Sequence, residues 1–152
     1  MRSATRMIAI LGFLSSAFAA SPFAGTWKFN ATSSMSTAPI PPPKEEMLVI
    51  EEAGDQLRVA LTGTAANGSP IVNKFSVAAV GGSATIQESP FDAISVRLIA
   101  PNIADLSYMR GGKELSTQHS LVSGDGKTLW LITRGATPQG GVVETVTAFD
   151  KR

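Results

Sequence analysis

The residues able to do chemistry are few and scattered. His119 is the single histidine and the chain has no cysteine, so a thiol nucleophile and a second imidazole for a metal centre are both missing. No G-x-S-x-G turn presents a serine. The run "GDGKT", residues 124–128, lacks the G-x-x-x-x-G-K-[ST] spacing of a phosphate loop and reads as a hairpin turn. What remains is a set of polar residues embedded in apolar strands: Asn73, Glu88, Tyr108, Thr117, His119 and Arg134. They suggest binding. No catalytic residue, metal-ligand set or resident cofactor is expected. Arg134 with Tyr108 would hold a carboxylate by charge-assisted hydrogen bonds while an acyl chain lies on aliphatic side chains. The competing readings are an internal Arg134–Glu88 pair and simple exposure at a rim. For His119 the choice lies between a hydrogen-bonded core residue and an axial ligand to haem iron.

Such residues need a scaffold, and the sequence describes one. Ten short alternating runs separated by turn residues are predicted as strands: 25–30, 45–53, 56–64, 71–79, 84–88, 93–99, 103–110, 113–122, 128–135 and 142–150. Turn signals every 8–12 residues point to an all-β sandwich or barrel. The faces of neighbouring runs agree. Gly54-Asp55 sets Leu48 and Ile50 against Leu61 and Val59, with Glu51 meeting Arg58 outside. Asn67-Gly68-Ser69 sets Leu61 against Phe75, and Gly81-Gly82 sets Val77 against Ile86. The loop 100–102 sets Leu98 against Ala104 and Val96 against Leu106. Gly111-Gly112 sets Tyr108 against Leu115 and Ala104 against His119, and Asp125-Gly126 sets Leu121 against Trp130. A one-residue slip would turn a whole strand over, so the agreement specifies a register. The expected architecture is a single antiparallel up-and-down (meander) β-barrel of about 8–10 strands, because closure removes the edges of a long meander.

In a meander, alternate connections share one end. The connections 53–56, 80–83, 100–102 and 124–127 are tight, whereas 31–44, 65–70, 89–92 and 136–141 are longer and 111–112 is short. The long-loop end is the expected mouth. At the other end Trp27, Phe29, Trp130 and Phe149 are expected to point inward and seal the floor, each burying about 150–250 Å².

Ahead of the barrel, Arg2 and Arg6 precede an apolar stretch from Met7 to Leu14, and Ala17-Phe18-Ala19 supplies small residues at −3 and −1. Residues 1–19 are expected to be a cleaved signal peptide and 20–152 the barrel domain, secreted or periplasmic. The apolar stretch is too short to span a bilayer. Removing Arg2 and Arg6 leaves eleven basic residues against twelve acidic ones, without the basic stripe of a nucleic-acid binder.

The segments "PFAGTWK" (22–28), "SPFDAISVRL" (89–98), "SGDGKTLWLITRG" (123–135) and "FDK" (149–151) resemble small secreted bacterial lipocalin-like (calycin-type) barrels with an N-terminal G-x-W. The resemblance spans residues 20–152. It implies a barrel whose terminal basic side chain, Lys151 or Arg152, packs over Trp27. It also implies a small apolar or amphipathic ligand in the lumen. A haem-binding or small enzymatic barrel using His119 is the alternative, and a packed structural or interaction module is a third. The packed module requires that no internal volume reach about 300 Å³, the lower range of ligand pockets.

Overall fold

A computed structural model describes residues 19–137 and 139–152, so all but the last residue of the expected leader lies outside the described residues. Those residues form eleven strands: β1 (Gly25–Ser36), β2 (Glu45–Ala53), β3 (Gln56–Thr64), β4 (Pro70–Ala78), β5 (Gly81–Ser83), β6 (Thr85–Glu88), β7 (Ala93–Ala100), β8 (Ile103–Arg110), β9 (Lys113–Val122), β10 (Thr128–Ala136) and β11 (Val142–Lys151). Among the described residues there is no helix. Every ladder is antiparallel, and the strand order is β5-β7-β8-β9-β10-β11-β1-β2-β3-β4-β6. The first and last strands of that order are joined in sequence through Ala84, so the sheet curls into a nearly closed barrel.

Closure departs from a simple meander. The run expected at 84–88 begins at Gly81 and divides its pairing. Gly81 to Ser83 pair with Arg97 to Ser95 of β7, and Thr85, Ile86 and Glu88 pair with β4 at Ser76, Phe75 and Lys74. The turn is at Ala79-Val80 rather than Gly81-Gly82. One short segment thus bridges β4 and β7, first holding one and then the other.

The register from Glu45 to Gln56 is as expected, with Leu48↔Leu61, Ile50↔Val59 and Glu51↔Arg58. Leu98↔Ala104 and Val96↔Leu106 also hold. The β3–β4 pairing is displaced by two residues, Val59↔Phe75 and Leu57↔Val77, and β6 sets Ile86 against Phe75. An even displacement keeps each side chain on its expected face.

An odd one does not. In the β8–β9 hairpin Met109 pairs with Glu114 but Tyr108 pairs with Ser116, leaving Leu115 as a one-residue bulge. From there to the end of β10 the faces are exchanged. Thr117 and His119 turn outward, while Gln118, Ser120 and Val122 turn in. Trp130 pairs with Leu121 as expected, yet both sit on the outer face, and Leu129 and Leu131 take the inner positions. Trp130 is therefore no part of the floor, and Arg134 leaves the lumen with it.

The floor is otherwise built as expected. Trp27 and Phe149 are fully buried, and Phe29 meets Phe149 edge-to-face at 6.2 Å between centroids. Phe23, in the turn before β1, folds in beside them and accepts the Trp27 indole N–H on its carbonyl at 2.8 Å. With Leu48, Ile50, Val122, Leu129 and Leu131 they form one apolar cluster. Fully burying a ring of this size contributes about 3 kcal/mol of transfer free energy. A second cluster gathers Phe75, Val77, Ile94 and Tyr108. The first strand is longer than expected and runs to Ser36, bulging between Asn30 and Met35, where Ser34 Oγ accepts the amide of Ala148 at 2.9 Å.

Candidate functional site

The inner positions of β2, β3, β4, β7, β8, β9 and β10 surround a cavity of about 100 Å³. Leu57, Val59, Leu61, Val96 and Leu106 supply most of its wall, and Phe23 and Leu129 close it toward the floor. Ala78, Ala79, Gly81 and Leu98 also line it, so the cavity reaches the place where β4 and β7 part. Leu98 is exposed there, together with Val80 and Ile99.

Four polar residues interrupt this wall: Asn73, Tyr108, Gln118 and Ser120. They lie on facing strands. Gln118 donates from Nε2 to Ser120 Oγ at 3.0 Å and accepts the Thr133 hydroxyl on Oε1 at 3.3 Å. Asn73 accepts the hydroxyl of Ser89 on Oδ1 at 2.8 Å. The Tyr108 ring is covered by Phe91, 4.8 Å away between centroids, from the loop before β7. Burial pushes the Tyr108 phenol well up, and the hydrogen-bonding Gln118 side chain partly offsets it. That loop is pinned: Arg110 Nε donates to the Pro90 carbonyl at 2.7 Å, and the Gly111 amide donates to Asp92 Oδ2 at 2.7 Å.

Of the expected inward set, Asn73 and Tyr108 face the cavity. The other four do not. Glu88 pairs with Lys74 at 3.4 Å on the outside, and Arg134 reaches Glu144 at 3.9 Å, also outside. Asp105 Oδ1 accepts the His119 Nδ1–H at 2.7 Å, and Asp105 Oδ2 accepts from the Arg97 guanidinium at 2.8 Å. His119 and then Arg97 hold the Asp105 carboxyl below its usual range. Thr117 lies on the same outer surface, opposite Arg134. Arg134 and Tyr108 thus stand on opposite faces of the sheet, and no carboxylate clamp forms between them. His119 has no path to the lumen as a haem ligand. The cause in each case on β9 and β10 is the bulge at Leu115; for Glu88 it is the shift between Lys74 and Phe75.

Sequence reasoning missed Gln118 and Ser120 because it had no signal for that bulge. It also missed Glu46, for which a signal existed. Leu48 and Ile50 point inward, so alternation carries Glu46 to the same face. Its partner on β3 is Gly63, where a Cβ would come within 3.0 Å of Glu46 Cγ and 2.2 Å of the Glu45 carbonyl oxygen. The glycine makes the space into which the Glu46 side chain leans. Burial pushes the Glu46 carboxyl up to about 7.

No family model matches the sequence, and no curated protein matches it. Solved structures do. The zebrafish ileal bile acid-binding protein, complexed with cholic acid, superimposes with a TM-score of 0.57 at 17% identity, covering 87% of this chain and 100% of that one. Lobster apocrustacyanin A1 aligns over 86% of this chain and 61% of its own, at 14% identity and a TM-score of 0.45. The fold is a lipocalin-like barrel. It lacks any helix among its described residues, and none is long and apolar enough to cross a membrane.

Proposed function

We propose that this barrel binds a small apolar or amphipathic molecule in its lumen. The observation that carries the reading is the cavity itself: an aliphatic wall interrupted by hydrogen-bonding groups that converge from β4, β8 and β9. Few polar groups set in an apolar pocket are what orientation-specific binding of such a molecule requires. Asn73 and Tyr108, joined by Gln118 and Ser120, would contact the ligand. The superposition of 87% of this chain on a bile acid-binding barrel supports a fold suited to this work. The leader-like residues 1–19 support a secreted or periplasmic site of action.

One observation favours the packed-module reading. The cavity of about 100 Å³ lies below the roughly 300 Å³ at which ligand pockets usually begin. A ligand must therefore be small or displace side chains as it enters. Native mass spectrometry of the protein exported by a bacterial host separates the two readings. An adduct that dissociates on activation, and is lost in Leu106→Trp, supports lumen binding. A clean apo mass, with no thermal stabilisation by any apolar compound tested, supports the packed module.

A further inference from the structure

The cavity wall carries no charged side chain, and this restricts what it takes. We propose that the lumen selects an uncharged molecule, an apolar body bearing one hydroxyl or carbonyl oxygen, over a carboxylate with the same tail. The proposal rests on the lumen-binding reading above and adds a ligand class to it.

Three observations carry it. First, every wall residue other than Asn73, Tyr108, Gln118 and Ser120 is an aliphatic or aromatic residue or a glycine, and those four are neutral. Second, the four are mostly engaged as acceptors by the protein itself. Asn73 Oδ1 is taken by Ser89, Gln118 Oε1 by Thr133 and Ser120 Oγ by Gln118. The Asn73 amide N–H groups and the Ser120 and Tyr108 hydroxyl hydrogens remain to donate, which suits a ligand oxygen. Third, Arg134, the basic side chain expected to neutralise an acid, lies elsewhere, paired with Glu144 on the outer face.

A carboxylate entering this cavity would lose its hydration with no opposite charge to replace it, and burying an unpaired ion is far costlier than burying a hydroxyl. The barrel already imposes that penalty on one of its own groups: Glu46, on the inner face of β2, holds its proton to about pH 7. A ligand acid set against this uncharged wall meets a desolvation cost of the same kind.

The test uses three probes with one tail: 1-decanol, decanoate and decyltrimethylammonium, titrated calorimetrically into the full barrel at pH 8. Decanol is expected to bind about tenfold or more tighter than decanoate, with the ammonium compound also weaker. Gln118→Arg, which sets a cation into the wall, should bring decanoate level with decanol or ahead of it. Decanoate or the ammonium probe binding the wild-type barrel as tightly as decanol overturns the proposal while leaving lumen binding intact. If none of the three binds, the lumen-binding reading itself fails. The wild-type comparison decides the matter even if Gln118→Arg does not fold.

Discussion

The ammonium of Lys151 lies 4.9 Å from the centroid of the Trp27 ring, closing the floor of the barrel from outside. Lys151 pairs with Trp27 across the β1–β11 ladder, and its stem passes over Gly25. A Cβ on Gly25 would stand 2.7 Å from Lys151 Cε, and the backbone there has φ of 142°, a conformation that L side chains rarely adopt. The order glycine, one residue, tryptophan therefore has a physical meaning. The glycine leaves a channel for the lysine, the lysine covers the indole, and the indole fills the floor.

Lys151→Met keeps the stem and removes the charge, so it should cost about 0.5–1 kcal/mol. Trp27→Ala opens a cavity in the floor and should cost about 3–5 kcal/mol. Gly25→Ala should cost more in the wild type than in Lys151→Met, because part of its effect is to push the lysine off the ring. Urea denaturation of the four proteins in that double-mutant cycle checks the coupling. Strict additivity of Gly25→Ala and Lys151→Met would show that the two residues act separately.

Glu46 should give the protein an inverted pH response over part of its range. Below about pH 4.5 the group is protonated in both folded and unfolded chains. Between there and about pH 7 the folded state keeps the proton that the unfolded state has released. Stability from this group therefore falls as pH rises across that window, by about 3 kcal/mol. Glu46→Gln should be more stable than wild type at pH 8 and should flatten the slope. Thermal melts at half-unit pH intervals would show it, and an unchanged slope would place the Glu46 carboxyl in water.

Deleting Leu115 should be tolerated, at a cost below about 1 kcal/mol, because the bulged residue has no partner and the ladder on either side is regular without it. Deleting Ser120 should unfold the barrel, since it moves Val122 off the inner face and shifts the pairing with β10. Circular dichroism melts of the two deletions should differ widely.

The Asp105–His119 contact should matter little to stability. The pair is exposed, and Asp105→Ala should cost less than about 1 kcal/mol. The same pair depresses the Asp105 carboxyl, so His119→Ala should raise its titration midpoint in a carbon-detected NMR titration. Its small stabilising effect is present at neutral pH and disappears as pH falls through the depressed midpoint.

Much of this architecture was legible in the residues. Two-residue turns such as Gly54-Asp55 set the pairing, and Leu48, Ile50, Val59 and Leu61 sit where alternation places them. Loop-length errors of two residues at β3–β4 did no harm, since parity decides the face. The site was less legible. A bulge is a local backbone choice with weak sequence signature, and the one at Leu115 exchanges the faces of two strands. Tyr108, before it, was placed correctly; Thr117, His119, Trp130 and Arg134, after it, were not. The hand-over of β5 and β6 was illegible for another reason. Gly81-Gly82 reads as a turn, yet the pair is used as strand, pressed against Val96 and Arg97.

That hand-over also protects the chain from its own kind. A barrel left open along one line would present two long rows of unpaired amides and carbonyls, ready to be extended by a neighbouring molecule. Here β6 occupies β4 over Lys74–Ser76, and β5 occupies β7 over Ser95–Arg97. Each row is cut into short pieces at different heights. Ladder growth from molecule to molecule has no continuous edge on which to begin, although the lumen still has a line along which its wall can part.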